Sequence, residues 1–168
     1  LLERAVAQLR DIGARRDQVR ALTYLARAME QSCDWEGAQA AHQSALSHRH
    51  DLGQAASSME NVSGLARVAL VRGDLETARA FTEEILAHIR ARGLALIESP
   101  FRIYQTAFRV FQASGSKPAA SQVLQEAYQA LMDQAERITD PALHCSFLER
   151  VPEHEELLAA WREEKEQE

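Results

Sequence analysis

Apolar residues recur at spacings of three and four through most of the chain, and they do not alternate with polar ones. Between residues 21 and 30 the stripe is Leu22, Leu25, Ala26 and Met29; between 61 and 70 it is Val62, Leu65, Ala66 and Ala69. This period covers one face of an α-helix, whereas a half-buried strand would alternate. The pattern predicts an all-α chain with helices near 1–12, 15–32, 35–51, 54–72, 75–92, 99–114, 118–138, 141–150 and 153–165. Cys33-Asp34 and Gly73-Asp74 interrupt the stripes, and each aspartate is placed to accept amide hydrogens at the start of the next helix.

The same grammar returns every 40 residues. Gly13, Gly53 and Gly93 keep that interval, as do Ala5, Ala45 and Ile85, the pair Asp34 and Asp74, and the pair Ala38 and Ala78. Such a period signals stacked two-helix units, each with an apolar face that it cannot bury alone. The third unit is looser: Ser99-Pro100 open a helix, FRIYQTAFRVF carries the stripe, and Gly115-Ser116-Lys117-Pro118 make the turn. Ala120 and Ala127 fall two residues late, which an insertion near Ser99 accounts for. Pro141 and Pro152 open two short helices. These are expected to cap the array by burying Leu143, Cys145, Phe147, Leu148, Val151, Leu157, Leu158 and Trp161.

The segments CDWEGA (33–38) and GDLETA (73–78) resemble the inter-helix turn of the tetratricopeptide repeat. The resemblance spans 1–138 as half a repeat plus three full ones, with 139–168 as capping helices and tail. The period of 40 exceeds the usual length of about 34, and longer helices absorb the difference. In that respect the chain is similar to the C-terminal repeat regions of large bacterial ATPase and regulator signalling proteins. The resemblance implies a right-handed α-α superhelix of about three and a half hairpins. It also implies a role as a cytoplasmic protein-protein interaction scaffold, the sensor or assembly arm of a larger regulator; the alternative is a domain sensing a peptide or small ligand.

Composition narrows this picture. The apolar fraction is 46% and the first proline is Pro100, which suits a helical core. A net charge of -6 argues against general affinity for nucleic acid or an anionic membrane. Cys33 and Cys145 stand too far apart for a C-x-x-C metal or redox motif, so a reducing compartment is expected. The chain opens on LLERAVAQLRD without a methionine, inside a helical pattern, and is expected to be part of a longer protein.

In stacked helical pairs the first helix of each pair lines the concave side. The residue after the small buried one points into the groove, which selects Arg27, Arg67 and Arg109, one per repeat. Arg20 and Arg102 lie on the same faces, with Thr23, Ser63 and Gln105 as hydrogen-bonding neighbours and Glu30 and Glu60 as opposing charges. Tyr104 is the aromatic residue of that region expected to reach solvent. Rigid guanidinium forks suit carboxylates or phosphates of an extended peptide or a partner loop, on a separate protein or on another domain of the same parent chain. The competing reading is that each arginine only pairs with a glutamate of a neighbouring helix.

Catalytic and metal-binding patterns are not recognisable, so no enzymatic activity and no cofactor are expected. His154-Glu155-Glu156 lacks a second histidine four residues on, and His48 and His50 sit on different helical faces. Gly115-Ser116-Lys117 lacks the earlier glycine and the strand of a phosphate loop.

Overall fold

The computed structural model describes residues 1–166. Among them the chain forms nine α-helices and no strand. They are α1 (Leu2–Asp11), α2 (Arg15–Gln31), α3 (Trp35–Asp51), α4 (Ala55–Val71), α5 (Leu75–Arg92), α6 (Pro100–Ala113), α7 (Lys117–Ala135), α8 (Pro141–Glu149) and α9 (Pro152–Glu166). The helices expected from the 3.6-residue period are all present, with ends displaced by three residues at most. The largest displacement is the end of α7 at Ala135. There the chain tightens into i→i+3 bonds from Arg137 and Ile138, and Asp140 turns extended because Pro141 disfavours helical geometry in the residue before it.

Contacts group the chain into two compact units, Leu1–Glu98 and a second from Ser99 onward. The division coincides with the place where the 40-residue register slips. The boundary read from the sequence at 138/139 falls inside the second unit, between α7 and α8.

In the first unit each helix packs on its sequence neighbour, and α2 also touches α4. The reason lies in one turn used repeatedly. Gly13, Cys33, Gly53 and Gly73 follow one another at intervals of 20 residues, and all have left-handed φ, between 60° and 77°. At each of them two bonds close the preceding helix: at Gly73, its own amide donates to Leu70 and the next amide, of Asp74, donates to Ala69. Those two bonds define the Schellman termination. The residue after each left-handed position is already the N-cap of the next helix, so the chain reverses almost without a loop. Asp34 and Asp74 reinforce two of these starts by accepting from the amides of Gly37 and Thr77. Gly115 makes the same two bonds in the second unit, two residues behind the 40-residue spacing from Gly73, which agrees with the insertion near Ser99.

Small residues let the helices approach. Ala26, Ala38, Ala45, Ala66 and Ala78 have no exposed surface, and α4 is the most enclosed helix of the first unit.

The second unit packs α6 on α7 and lays α9 across both, with α8 against α7 and α9. One of its aromatic residues, Tyr104, does not reach solvent as expected. Tyr104 is buried, 4% exposed, because it sits mid-stripe between Phe101 and the buried Ala107 and Phe111. The capping helices bury less than expected. Leu157 and Leu158 are buried, Phe147, Leu148, Val151 and Trp161 are half-buried, and Leu143 is 63% exposed. Cys145 is exposed as well. Helix α8 has no buried residue, because it leans on its neighbours along one side only. In its place His154 is buried, wedged edge-on against the rings of Phe101 and Phe147 with Nδ1 2.6 Å from the Phe147 carbonyl.

The repeated turn yields a prediction at Cys33, a non-glycine residue holding φ 60°. A left-handed conformation costs an ordinary residue about 1–2 kcal/mol relative to glycine. Cys33→Gly should therefore raise stability by about 1 kcal/mol in urea unfolding. Gly73→Ala, whose added methyl group meets nothing within 4 Å, should lower it by a similar amount.

Candidate partner-binding face

Helices α2, α3 and α4 enclose a connected set of polar side chains. Glu30, in the last turn of α2, is 6% exposed. Its carboxylate accepts from Arg67 of α4 through Nε and Nη2, both at 2.9 Å, and lies 2.8 Å from Nε2 of His42 on α3. Arg67 also donates through Nη1 to the buried Ser63 hydroxyl, one turn earlier. The reciprocal pair runs the other way: Arg27 of α2 donates to Glu60 of α4 at 2.6 Å, with Glu60 4% exposed. Two ion pairs of opposite polarity thus join α2 and α4.

Burial alone would raise the Glu30 carboxyl. The His42 hydrogen bond and the charge and hydrogen bonds of Arg67 outweigh it, holding the group near 2 against an ordinary 4.5. His42, with no exposed surface, places Nδ1 3.2 Å from Oδ1 of Asn61, which also accepts from the Thr23 hydroxyl at 3.2 Å. Arg49 reaches in from α3 and donates to Thr23 at 3.3 Å. Burial lowers its guanidinium below the ordinary value, while the charges of Glu60 and Glu98 pull it back up.

The imidazole of His42 is accommodated by Gly64, in the middle of α4. A Cβ there would lie 2.1 Å from Nε2 of His42, so glycine is required by contact rather than by backbone conformation.

At the edge of this network Tyr24 donates to Glu98, and the guanidinium of Arg27 lies 5.8 Å from the Tyr24 ring centre. The hydrogen bond to Glu98 and partial burial raise the phenol above its usual range, opposed by the nearby charges of Arg20 and Arg27. Arg20 is exposed.

Of the residues selected from sequence, Arg20, Arg27 and Arg67 therefore belong to the polar face of α2 and α4 in the first unit. Arg102, Tyr104 and Arg109 lie on α6 in the second. There Arg109, 52% exposed, donates to Glu156 of α9, as does Gln105 at 2.6 Å; Arg102 is half-buried. The bland expectation of arginine-glutamate pairing thus describes Arg27, Arg67 and Arg109. Thr23, Ser63, Glu30 and Glu60, expected along an open groove, are buried. Their burial follows from enclosure by α2, α3 and α4, which pack on one another around them.

Sequence reading passed over His42, Arg49, Asn61 and Gly64. The available signal was a glycine and an asparagine three residues apart inside an otherwise apolar helix, both unfavourable there unless contacts require them. Elsewhere, Cys145 donates to Glu149 at 2.9 Å, which raises the thiol above its usual range, the opposite of an activated thiolate. Among the described residues no group of three or more His, Cys, Asp or Glu side chains is placed to hold a metal ion, and no helix is long and apolar enough to cross a membrane.

Two outcomes test the network. Because the folded-state Glu30 titrates below its unfolded value, its contribution is complete above about pH 4.5 and is lost as the pH falls towards 2. Denaturant unfolding across that window should show an acid-limb loss on the order of 3 kcal/mol that Glu30→Gln reduces. Gly64→Ala should displace the His42 ring and cost roughly 1–3 kcal/mol, read as a lower melting temperature with helicity retained at 20 °C.

No family model matches this chain, and neither a curated protein nor a solved structure matches it.

Proposed function

We propose that the chain is a non-catalytic interaction module, an array of tetratricopeptide-like hairpins wound into a right-handed superhelix and closed by α8 and α9. In this reading it is the assembly or sensor arm of a larger bacterial regulator. Its ligand is an acidic segment of a protein, either a separate partner or another domain of the parent chain. The observation that carries the reading is the reciprocal anchoring of Arg27 and Arg67. Each guanidinium is fixed by a buried glutamate of the neighbouring repeat, yet 17% and 16% of the side chain stays exposed. A guanidinium already held in place loses less conformational entropy when a carboxylate arrives, which favours recognition by rigid forks. Arg20 and Tyr24 extend the same face. Against the net charge of -6, the exposed guanidinium of Arg20 beside the partly exposed edges of Arg27 and Arg67 is a local feature that favours approach of an acidic segment.

Arg67 is unsuitable for a charge-reversal test, since a glutamate there would face buried Glu30 and cost several kcal/mol of stability. Exposed Arg20 avoids this. Fluorescence anisotropy with labelled extended peptides bearing paired carboxylates should give affinity that falls with added salt and weakens about tenfold in Arg20→Glu, at an unchanged melting temperature. Equal binding of uncharged peptides, or an Arg20→Glu variant that binds as well as the parent chain, overturns the proposal.

A further inference from the structure

The chain that follows α5 is tied back onto the helices of the polar face. Gly93 ends α5 with φ 73°, and Leu96 then holds a left-handed φ of 66° although its side chain is 81% exposed. Ile97 is the one buried side chain of residues 93–98. Two hydroxyls hold the segment on either side of it: Ser57 of α4 donates to the Leu96 carbonyl at 3.3 Å, and Tyr24 of α2 donates to the exposed Glu98 carboxylate. A left-handed leucine that gains nothing by burial persists only where the surrounding contacts impose it. The segment is therefore held under strain, and what it delivers is a carboxylate.

That carboxylate arrives where positive charge is gathered. The Arg27 guanidinium lies 5.8 Å from the Tyr24 ring centre, and the charges of Arg20 and Arg27 both act on the Tyr24 phenol. Arg49 is 6% exposed, its hydrogen bond to Thr23 is 3.3 Å long, and it has no ion pair among the described residues. A buried guanidinium ordinarily has a carboxylate against it. Here the acids whose charges reach it are Glu60, already bonded to Arg27, and Glu98. Arg49 is too enclosed to grip a ligand, so it contributes charge alone, and that charge favours an anion at the position Glu98 takes. Arg20 is exposed and likewise has no ion pair among the described residues, so Glu98 leaves the outermost guanidinium unanswered.

We infer, on the reading that this face receives acidic segments, that Glu98 is a built-in competitor for the partner: residues 93–98 hold an internal carboxylate at the Tyr24 end of the face, and a partner carboxylate binds by displacing it. The exchange favours the partner because its carboxylate can pair with Arg20, while Glu98 has the neutral hydroxyl of Tyr24 and a strained backbone behind it. Tethering sets the threshold. A competitor in the same chain acts at a fixed effective concentration, and the apparent affinity of the partner falls with the fraction of chains in which the face is open. Displacement also releases the chain that leads into α6.

The test uses the labelled acidic peptides and two substitutions of opposite expected effect. Glu98→Ala removes the internal carboxylate and should tighten peptide binding about fivefold in fluorescence anisotropy. Leu96→Gly changes no charge; glycine accepts the left-handed backbone freely, so the segment is held more firmly and binding should weaken about threefold. Both side chains are exposed, so circular dichroism should show the helices intact in each variant. Amide exchange supplies a third arm in the unaltered chain: saturation with peptide should accelerate exchange at Ile97, whose amide donates to the Leu94 carbonyl. Peptide that binds the parent chain but shows unchanged affinity in Glu98→Ala or in Leu96→Gly, or that leaves exchange at Ile97 unaltered, overturns the competitor while the acidic-segment reading stands. Peptide that binds neither the parent chain nor Glu98→Ala overturns that reading and the competitor with it.

Discussion

A buried carboxylate that must be answered on every side organises the first unit. Glu30 has given up its water, and an ionised carboxylate without partners in such surroundings would cost several kcal/mol. Arg67 covers it with a two-pronged bond from α4, and His42 closes it from α3. Each donor is held in turn, Arg67 near Ser63 and His42 between Asn61 and the flat surface of Gly64. A one-residue slip of α4 along α2 would break these contacts together. Apolar packing of alanines alone would tolerate such a slip much better, so the polar network supplies the register and the alanines supply the proximity.

The turns and the network act at different ranges. The left-handed residue at 20-residue intervals fixes how one helix hands over to the next, using backbone bonds that any sequence with glycine at that position can make. It does not fix how α2 meets α4, which are separated by a whole helix. That contact is written in side chains: Arg27 with Glu60 and Arg67 with Glu30. The two pairs have opposite polarity, so each helix contributes one guanidinium and one carboxylate to the contact.

The two kinds of arginine on this unit differ in what they are available for. Arg27 and Arg67 spend charge on internal glutamates and offer the remaining edge, while Arg20 is exposed and has no ion-pair partner among the described residues. A surface census that counts all of them as equivalent positive charge would miss the distinction. It arises from burial of the glutamates, a property of packing.

Local periodicity determined the helices, since a 3.6-residue stripe, an aspartate able to cap and a glycine able to take positive φ act within a few residues and need no distant partner. The same short-range logic located Asp34 and Asp74 as caps, Ala38 and Ala78 as close crossings, and the slip near Ser99, where the compact units divide. What the sequence left open was which polar side chains would be sealed from water. Glu30, Glu60, Thr23 and Ser63 carry no local mark of burial, and His42 and Arg49 reach the network from a helix whose own pattern looks ordinary. Tyr104 and Cys145 exchanged their expected environments for the same reason. Burial depends on how closely neighbouring helices approach and on how many sides of a helix are covered, and those distances exist only once the helices have packed.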